Sequence, residues 1–191
     1  MSTLILGLIV FLGIHSVSIV APAWRDRMAA RLGAWPWKGL YSLIALAGLV
    51  LIVQGWAQAR LEPIVLWVSP SWMRHLVMTL MLPVFVLLLA AYVPGRIRTL
   101  TRHPMLIATK LWALSHLLVN GSVHEVLLFA GFLAWAVADR ISLKRRQPRA
   151  TPALPATALN DVIVVLGGLA LYGYFVMRGH AQLIGMPLMP A

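Results

Sequence analysis

From Ser2 to Trp24 the chain carries no charged side chain, and the first cation arrives only at Arg25. A run of that length restricts the fold more than any other feature of the sequence. In hydrocarbon every backbone N–H and C=O must be satisfied inside the protein, so only helices and closed barrels can span a bilayer. The run is helical in length, since about 20 apolar residues are needed to cross a core of roughly 30 Å. Its apolar character is continuous and does not alternate as a barrel strand would. Similar runs recur along the 191 residues, which are 61% hydrophobic and only 11% charged. Soluble domains carry about 25% charged residues. The expected fold is all-α: a polytopic membrane protein, a bundle of about six transmembrane helices, forming one integral membrane domain over residues 1–191.

The N-terminal run does not read as a cleaved leader. Met1-Ser2-Thr3 lacks a positive n-region, and the cations follow the apolar run at Arg25, Arg27 and Arg31. The six expected spans are about Ser2 to Ile19, Gly39 to Trp56, Met73 to Val93, Pro104 to Leu118, Val123 to Ala138 and Asp161 to Met177. Pro22 closes the first. The third carries Pro83 and closes at Pro94-Gly95, and the sixth holds Gly167-Gly168, small residues that allow helices to approach closely. The fourth is short for a bilayer, so it must borrow flanking residues or line a cavity. Leu61 to Trp72 reads as an interfacial element, with Trp67 and Trp72 suited to the membrane boundary. Gln147 to Pro155, with three prolines, reads as a loop.

Charge alternates between loops. Arg25, Arg27, Arg31 and Lys38 lie in the first loop, Arg96, Arg98 and Arg102 in the third, and Arg140, Lys144, Arg145, Arg146 and Arg149 in the fifth. The second holds only Arg60 and Arg74, the fourth has no cation, and the tail has Arg178. By the positive-inside rule the cation-rich loops are cytoplasmic and both termini are not. The net charge of +11 is thus a topology signal, and nucleic acid is not an expected partner; the lipid bilayer is. The absence of cysteine excludes disulfides, thiolate catalysis and cysteine-ligated metals.

The fourth span is the unusual one. It opens on Arg102-His103-Pro104, contains Lys110 and His116, and stops at Asn120-Gly121. Ionisable groups inside a membrane segment point to function. Lys110 lies seven residues after His103, so the two fall about 20° apart on the helix. Lys110 suits a propionate, phosphate or carboxylate, with pairing to Asp139 or snorkelling as the structural alternative. His15 also sits within an apolar run, where an unpaired polar group is costly. His15 and His116 are therefore either ligands, as neutral imidazoles are for metals and haem, or interhelical hydrogen-bond partners. Their axial depths differ by roughly 14 Å, so His15 with His103 and His116 with His180 are the depth-matched alternatives. His75, His103 and His124 read as interfacial groups, and Glu125 as a solvated cap.

Several stretches together resemble the NnrU family of membrane proteins. They are Gly13-Ile14-His15-Ser16, the run Ala21 to Arg27, Trp37 to Ser42, Pro94-Gly95-Arg96-Ile97, His103-Pro104 with Leu111 to His116, Asp139 to Arg146, and His180 with Leu183-Ile184-Gly185. The resemblance implies an inner-membrane protein associated with nitrite and nitric oxide metabolism, that is, denitrification. The family is similar to 15-cis-zeta-carotene isomerases, which bind haem b. Carried over, that likeness implies His15 and His116 as ligands of a haem iron; Lys110, Arg102 and His103, the basic residues of the fourth span, are further cofactor-binding candidates by their own placement. The isomerases have a cysteine where this chain has Ala113, a departure that bears on the isomerisation chemistry. A more distant likeness, through Arg-His-Pro, Asn-Gly and Arg140-Ile141, is to isoprenylcysteine carboxyl methyltransferases, whose glutamate pair is replaced here by Ser142 to Arg146. Three readings follow: a haem b protein, a membrane-embedded isomerase or methyltransferase acting on a lipid or polyene, and a cofactor-free accessory or maturation protein. The catalytic residues, if any, are unassigned.

Overall fold

The computed structural model describes residues 1–146, 154–157 and 159–189. The expected loop from Gln147 to Pro155 therefore lies largely outside the described residues. The rest is helical, with no strand among the described residues. The elements are α1 (Ser2–Val20), α2 (Pro22–Leu32), α3 (Ala34–Ala59), α4 (Met73–Ala90), α5 (Arg96–Thr101), α6 (Pro104–Val119), α7 (Val123–Ser142), α8 (Asn160–Tyr174) and α9 (His180–Ile184). A π-helical turn, Phe175–Gly179, joins α8 to α9. By length and composition α1, α3, α4 and the continuous stretch Asn160–Ile184 are able to cross a membrane. α6 is apolar but shorter, at 16 residues. α7 is 20 residues long and keeps its acids and its arginine near its ends, at Glu125, Asp139 and Arg140. The many half-exposed and exposed leucines, isoleucines and valines on these helices, such as Ile9, Leu43, Val53 and Leu166, form the apolar surface a lipid solvent requires. The polytopic all-α expectation is met. Two short helices, α2 and α5, occupy stretches expected to be loops.

The chain forms two compact units. The first comprises residues 1–70 and 116–148. Its spine is the antiparallel pair α1 and α3. Gly55 sits on the backbone of Leu4, Gly7 on that of Leu51 and Ile52, and Gly48 on that of Phe11. The contacts step along the two helices in opposite directions at helical spacing, so one stripe of small residues seats both backbones. A Cβ at Gly48 would stand 2.7 Å from the Phe11 nitrogen. Leu4, Leu8 and Ile52 make the buried centre of this pair, and α7 closes over it through Leu128 and Phe132. The irregular segment 61–72 is tied to the start of α7: Leu66 N–H donates to the Gly121 carbonyl (2.8 Å) and Val123 N–H to that of Ile64 (2.9 Å).

One polar clip holds the other end of this unit. Asp139 of α7 accepts a hydrogen bond from Arg146 Nη2 (2.6 Å), and Arg146 Nη1 donates to the Ser18 carbonyl (2.8 Å) at the end of α1. The side chains are only 13% and 14% exposed. Asp139 is thus engaged by Arg146, four residues past the end of α7. Removing one partner of such a buried pair costs about 3–5 kcal/mol, because the other charge is left uncompensated. Asp139→Ala is accordingly expected to destabilise the protein by about that amount. Asp139→Ala with Arg146→Leu should recover most of the loss. Denaturant titration in mixed micelles, following helical circular dichroism, measures both. Equal stability of Asp139→Ala and wild type would show that the clip contributes nothing.

The second unit comprises residues 71–115 and 149–191. α4 packs on α8, where Gly168 lies against Val86, so one member of the expected glycine pair makes the close approach. Pro83 cannot bond the Thr79 carbonyl, and the Tyr172 hydroxyl donates to the adjacent carbonyl of Met78 (2.6 Å). Asp161 accepts from the N–H groups of Arg96 (2.9 Å) and Ile97 (3.0 Å), capping α5 from the first turn of α8. Val84, Leu87 and Ala108 form this unit's buried core, with Leu111 and Trp112 against it.

Candidate functional site

His15 has the most prepared environment of the six histidines. Its Nδ1 lies 2.6 Å from the carbonyl oxygen of Phe11, one helical turn earlier. A carbonyl only accepts, so Nδ1 carries the proton and the lone pair of the neutral ring is on Nε2. Three aromatic rings enclose the imidazole. Phe11 stacks on it at 4.3 Å between centroids, and Tyr41 and Trp135 meet it edge-on at 5.2 Å and 5.8 Å. The cage thus draws on α1, α3 and α7. The Trp135 indole nitrogen is buried and has no hydrogen-bond partner among the described residues. An unpaired buried donor costs about 1–3 kcal/mol, so this N–H is left with unused hydrogen-bonding capacity close to the imidazole. The neighbouring Ser16 is accounted for locally, its hydroxyl donating to the Leu12 carbonyl (2.6 Å).

His116, in the last turn of α6, is half-buried and stacks on Phe129 of α7 at 4.6 Å, with the rings inclined by 28°. His15 and His116 thus belong to the same compact unit and both lean on α7. Their contact residues on that helix, Trp135 and Phe129, are six positions apart. That is roughly 9 Å along the axis and about 120° around it, closer in depth than the spans alone imply. The preceding Ser115 is fully buried, and its hydroxyl has no partner among the described residues.

The remaining expected site residues fall in the second unit. Arg102 is exposed and occupies a left-handed φ of 59° between α5 and α6. His103 is the cap of α6, its carbonyl accepting from the N–H groups of Leu106 (3.1 Å) and Ile107 (3.2 Å). Lys110 is half-buried on α6. His180 is engaged by the Met186 carbonyl at Nδ1 (2.6 Å) and lies edge-on to Phe175. His75 is exposed, as an interfacial residue is expected to be.

His124 departs from the interfacial reading. It is 2% exposed and faces Trp56, and neither its Nδ1 nor the Trp56 indole nitrogen has a hydrogen-bond partner among the described residues. The physical cause lies in the sequence just before it. Ser122 and Glu125 form a reciprocal capping box, with Ser122 N–H donating to Glu125 Oε2 at 3.0 Å. This fixes the first turn of α7 and turns His124 inward. Glu125 is a cap, as expected. Ser122-x-x-Glu125 was the signal that locates the helix start, but the burial comes from α3.

Among the described residues no group of three or more histidine, cysteine, aspartate or glutamate side chains is arranged to hold a bare metal ion. A haem iron needs only one or two imidazoles, and those of His15 and His116 lie in one compact unit, each with a ring contact on α7. Nε2 is the lone-pair nitrogen of His15, whose ring is flanked by three aromatic rings. A model of the NnrU protein family matches residues 3–188. Neither a curated protein nor a solved structure matches the chain.

Proposed function

This chain belongs to the NnrU family, and from that premise we propose that it is an inner-membrane haem b protein working in nitrite and nitric oxide metabolism, with His15 and His116 as the iron ligands. The observation that carries the reading is the state of His15, whose proton is held on Nδ1 by the Phe11 carbonyl so that Nε2 is the coordinating atom. Such second-side bonding fixes the tautomer and raises ligand basicity. Phe11, Tyr41 and Trp135 pack around the ring, and the Trp135 N–H, unpartnered among the described residues, is a donor for an acceptor on the ligand. When bound, haem supplies one-electron redox chemistry.

The test is the absorption spectrum of the detergent-purified chain produced with ample haem supply. A Soret band near that of b-type cytochromes and a sharp α band on reduction are expected. Protein that is folded, helical and colourless overturns the haem reading and leaves the accessory-protein reading in its place.

A further inference from the structure

We propose that a cavity between α1, α2 and α3 is a binding site for the phosphate of an anionic membrane lipid. The cavity has a volume of about 240 Å³ and is lined by Ile14, Val17, Ser18, Arg25, Trp37, Lys38 and Tyr41. It lies beside the caged histidine, since Tyr41 is common to both walls, but the inference does not depend on any ligand of His15.

The chemistry of the walls selects an anion. Two cations, Arg25 and Lys38, line one small space. The acid next to them in sequence, Asp26, meets Arg25 through one guanidinium nitrogen, Nη1, at 3.0 Å, and its own side chain is 55% exposed. The guanidinium has five N–H groups in a planar fork suited to phosphate, so most of its donor capacity remains for a ligand. Both cations are also set by aromatic faces: Arg25 lies 5.9 Å from the Trp37 ring centre and Lys38 5.2 Å from that of Trp35. Tyr41 adds a hydroxyl to the same wall. The Ser18 carbonyl is occupied by Arg146 and does not oppose an anion as a free acceptor would.

Size and setting select a lipid. Pockets for drug-sized ligands run about 300–1,000 Å³, so this cavity suits a headgroup. Trp35, 81% exposed, and Trp24, 46% exposed, mark the headgroup level of the membrane around it. Leu40 and Leu43, further along α3, are 47% and 67% exposed and offer an apolar path for acyl chains. The positive-inside rule places this end of the unit at the cytoplasmic leaflet, where anionic lipids attract clustered Lys and Arg.

The experiment is native mass spectrometry of the full chain in neutral detergent, equilibrated in turn with phosphatidylglycerol, phosphatidylcholine and inorganic phosphate. One retained phosphatidylglycerol per chain is expected, with phosphatidylcholine retained less. Arg25→Gln with Lys38→Gln should weaken that binding by about tenfold or more. Arg27→Gln with Arg31→Gln removes equal charge from outside the cavity and should change it by less than about threefold. Lys38→Gln alone, at an exposed position, reads the same contrast at smaller amplitude, and far-ultraviolet circular dichroism confirms that each variant is helical. Equal losses from the two double variants would reduce the site to diffuse surface attraction and overturn the proposal. Equal retention of the two lipids would overturn it too. Displacement of the lipid by inorganic phosphate alone would assign the cavity to a free anion and overturn the lipid as its occupant.

Discussion

His15→Ala is expected to abolish the haem spectrum, while His124→Ala leaves it in place. The contrast is demanding because His124 is the more deeply buried of the two. It follows from which nitrogen each ring offers and to what. His15 has Nδ1 committed to the Phe11 carbonyl and Nε2 inside a cage of three rings. The buried Nδ1 of His124 is unpartnered and faces the side of α3 that carries Trp56. His116→Ala should shift the spectrum from two axial imidazoles to one, a high-spin signature, rather than erase it. That asymmetry follows from the better-prepared environment of His15. The measurement is the oxidised and reduced absorption spectrum of each variant at matched protein concentration, with helicity checked by circular dichroism. Retention of a wild-type spectrum by His15→Ala would remove the central residue of the proposed function.

The second large effect concerns a glycine. Gly48→Ala is expected to destabilise the chain, whereas Gly13→Ala is expected to stabilise it. In an exposed helix, Gly→Ala gains about 0.5–1 kcal/mol through backbone entropy. At Gly13 an added Cβ meets nothing within 4 Å, so that gain is realised in full. At Gly48 the same atom would lie 2.7 Å from the Phe11 nitrogen and 2.9 Å from its Cα. Backbone cannot rotate away, so α1 and α3 must part along the whole stripe. Overpacking of this kind costs about 1–3 kcal/mol, enough to reverse the sign. Because Phe11 also holds His15, the spectrum should weaken in Gly48→Ala and stay unchanged in Gly13→Ala. Denaturation in mixed micelles gives the two signs directly, and a stabilised Gly48→Ala would contradict the packing of the pair.

The long helices were legible because apolar run length is a direct report of the solvent around them. α2 was not: its 11 residues include Arg25, Asp26, Arg27 and Arg31, and such a composition reads equally as a charged loop. The glycine stripe was also missed. Gly48 and Gly55 stand seven apart, but spacing does not say which partner backbone fills the groove. At the site, the type and helix of His15 and His116 could be read, and so could Phe11, one turn before His15. Tyr41 and Trp135 arrive from distant segments and depend on the crossing of three helices. His124 went unrecognised as buried because its depth near a helix end suggested water. The turn of α7 fixed by Ser122 and Glu125, together with the facing Trp56, decides otherwise.

The brevity of α6 has a mechanical consequence. Its 16 residues rise roughly 24 Å, against a hydrocarbon thickness of about 30 Å. Wherever that helix meets acyl chains, they must compress or tilt to keep its capped ends at the polar boundary. A short helix on a protein whose candidate spans are longer thus sets a local thickness of its own, and any lipid touching it would thin there by a few ångströms.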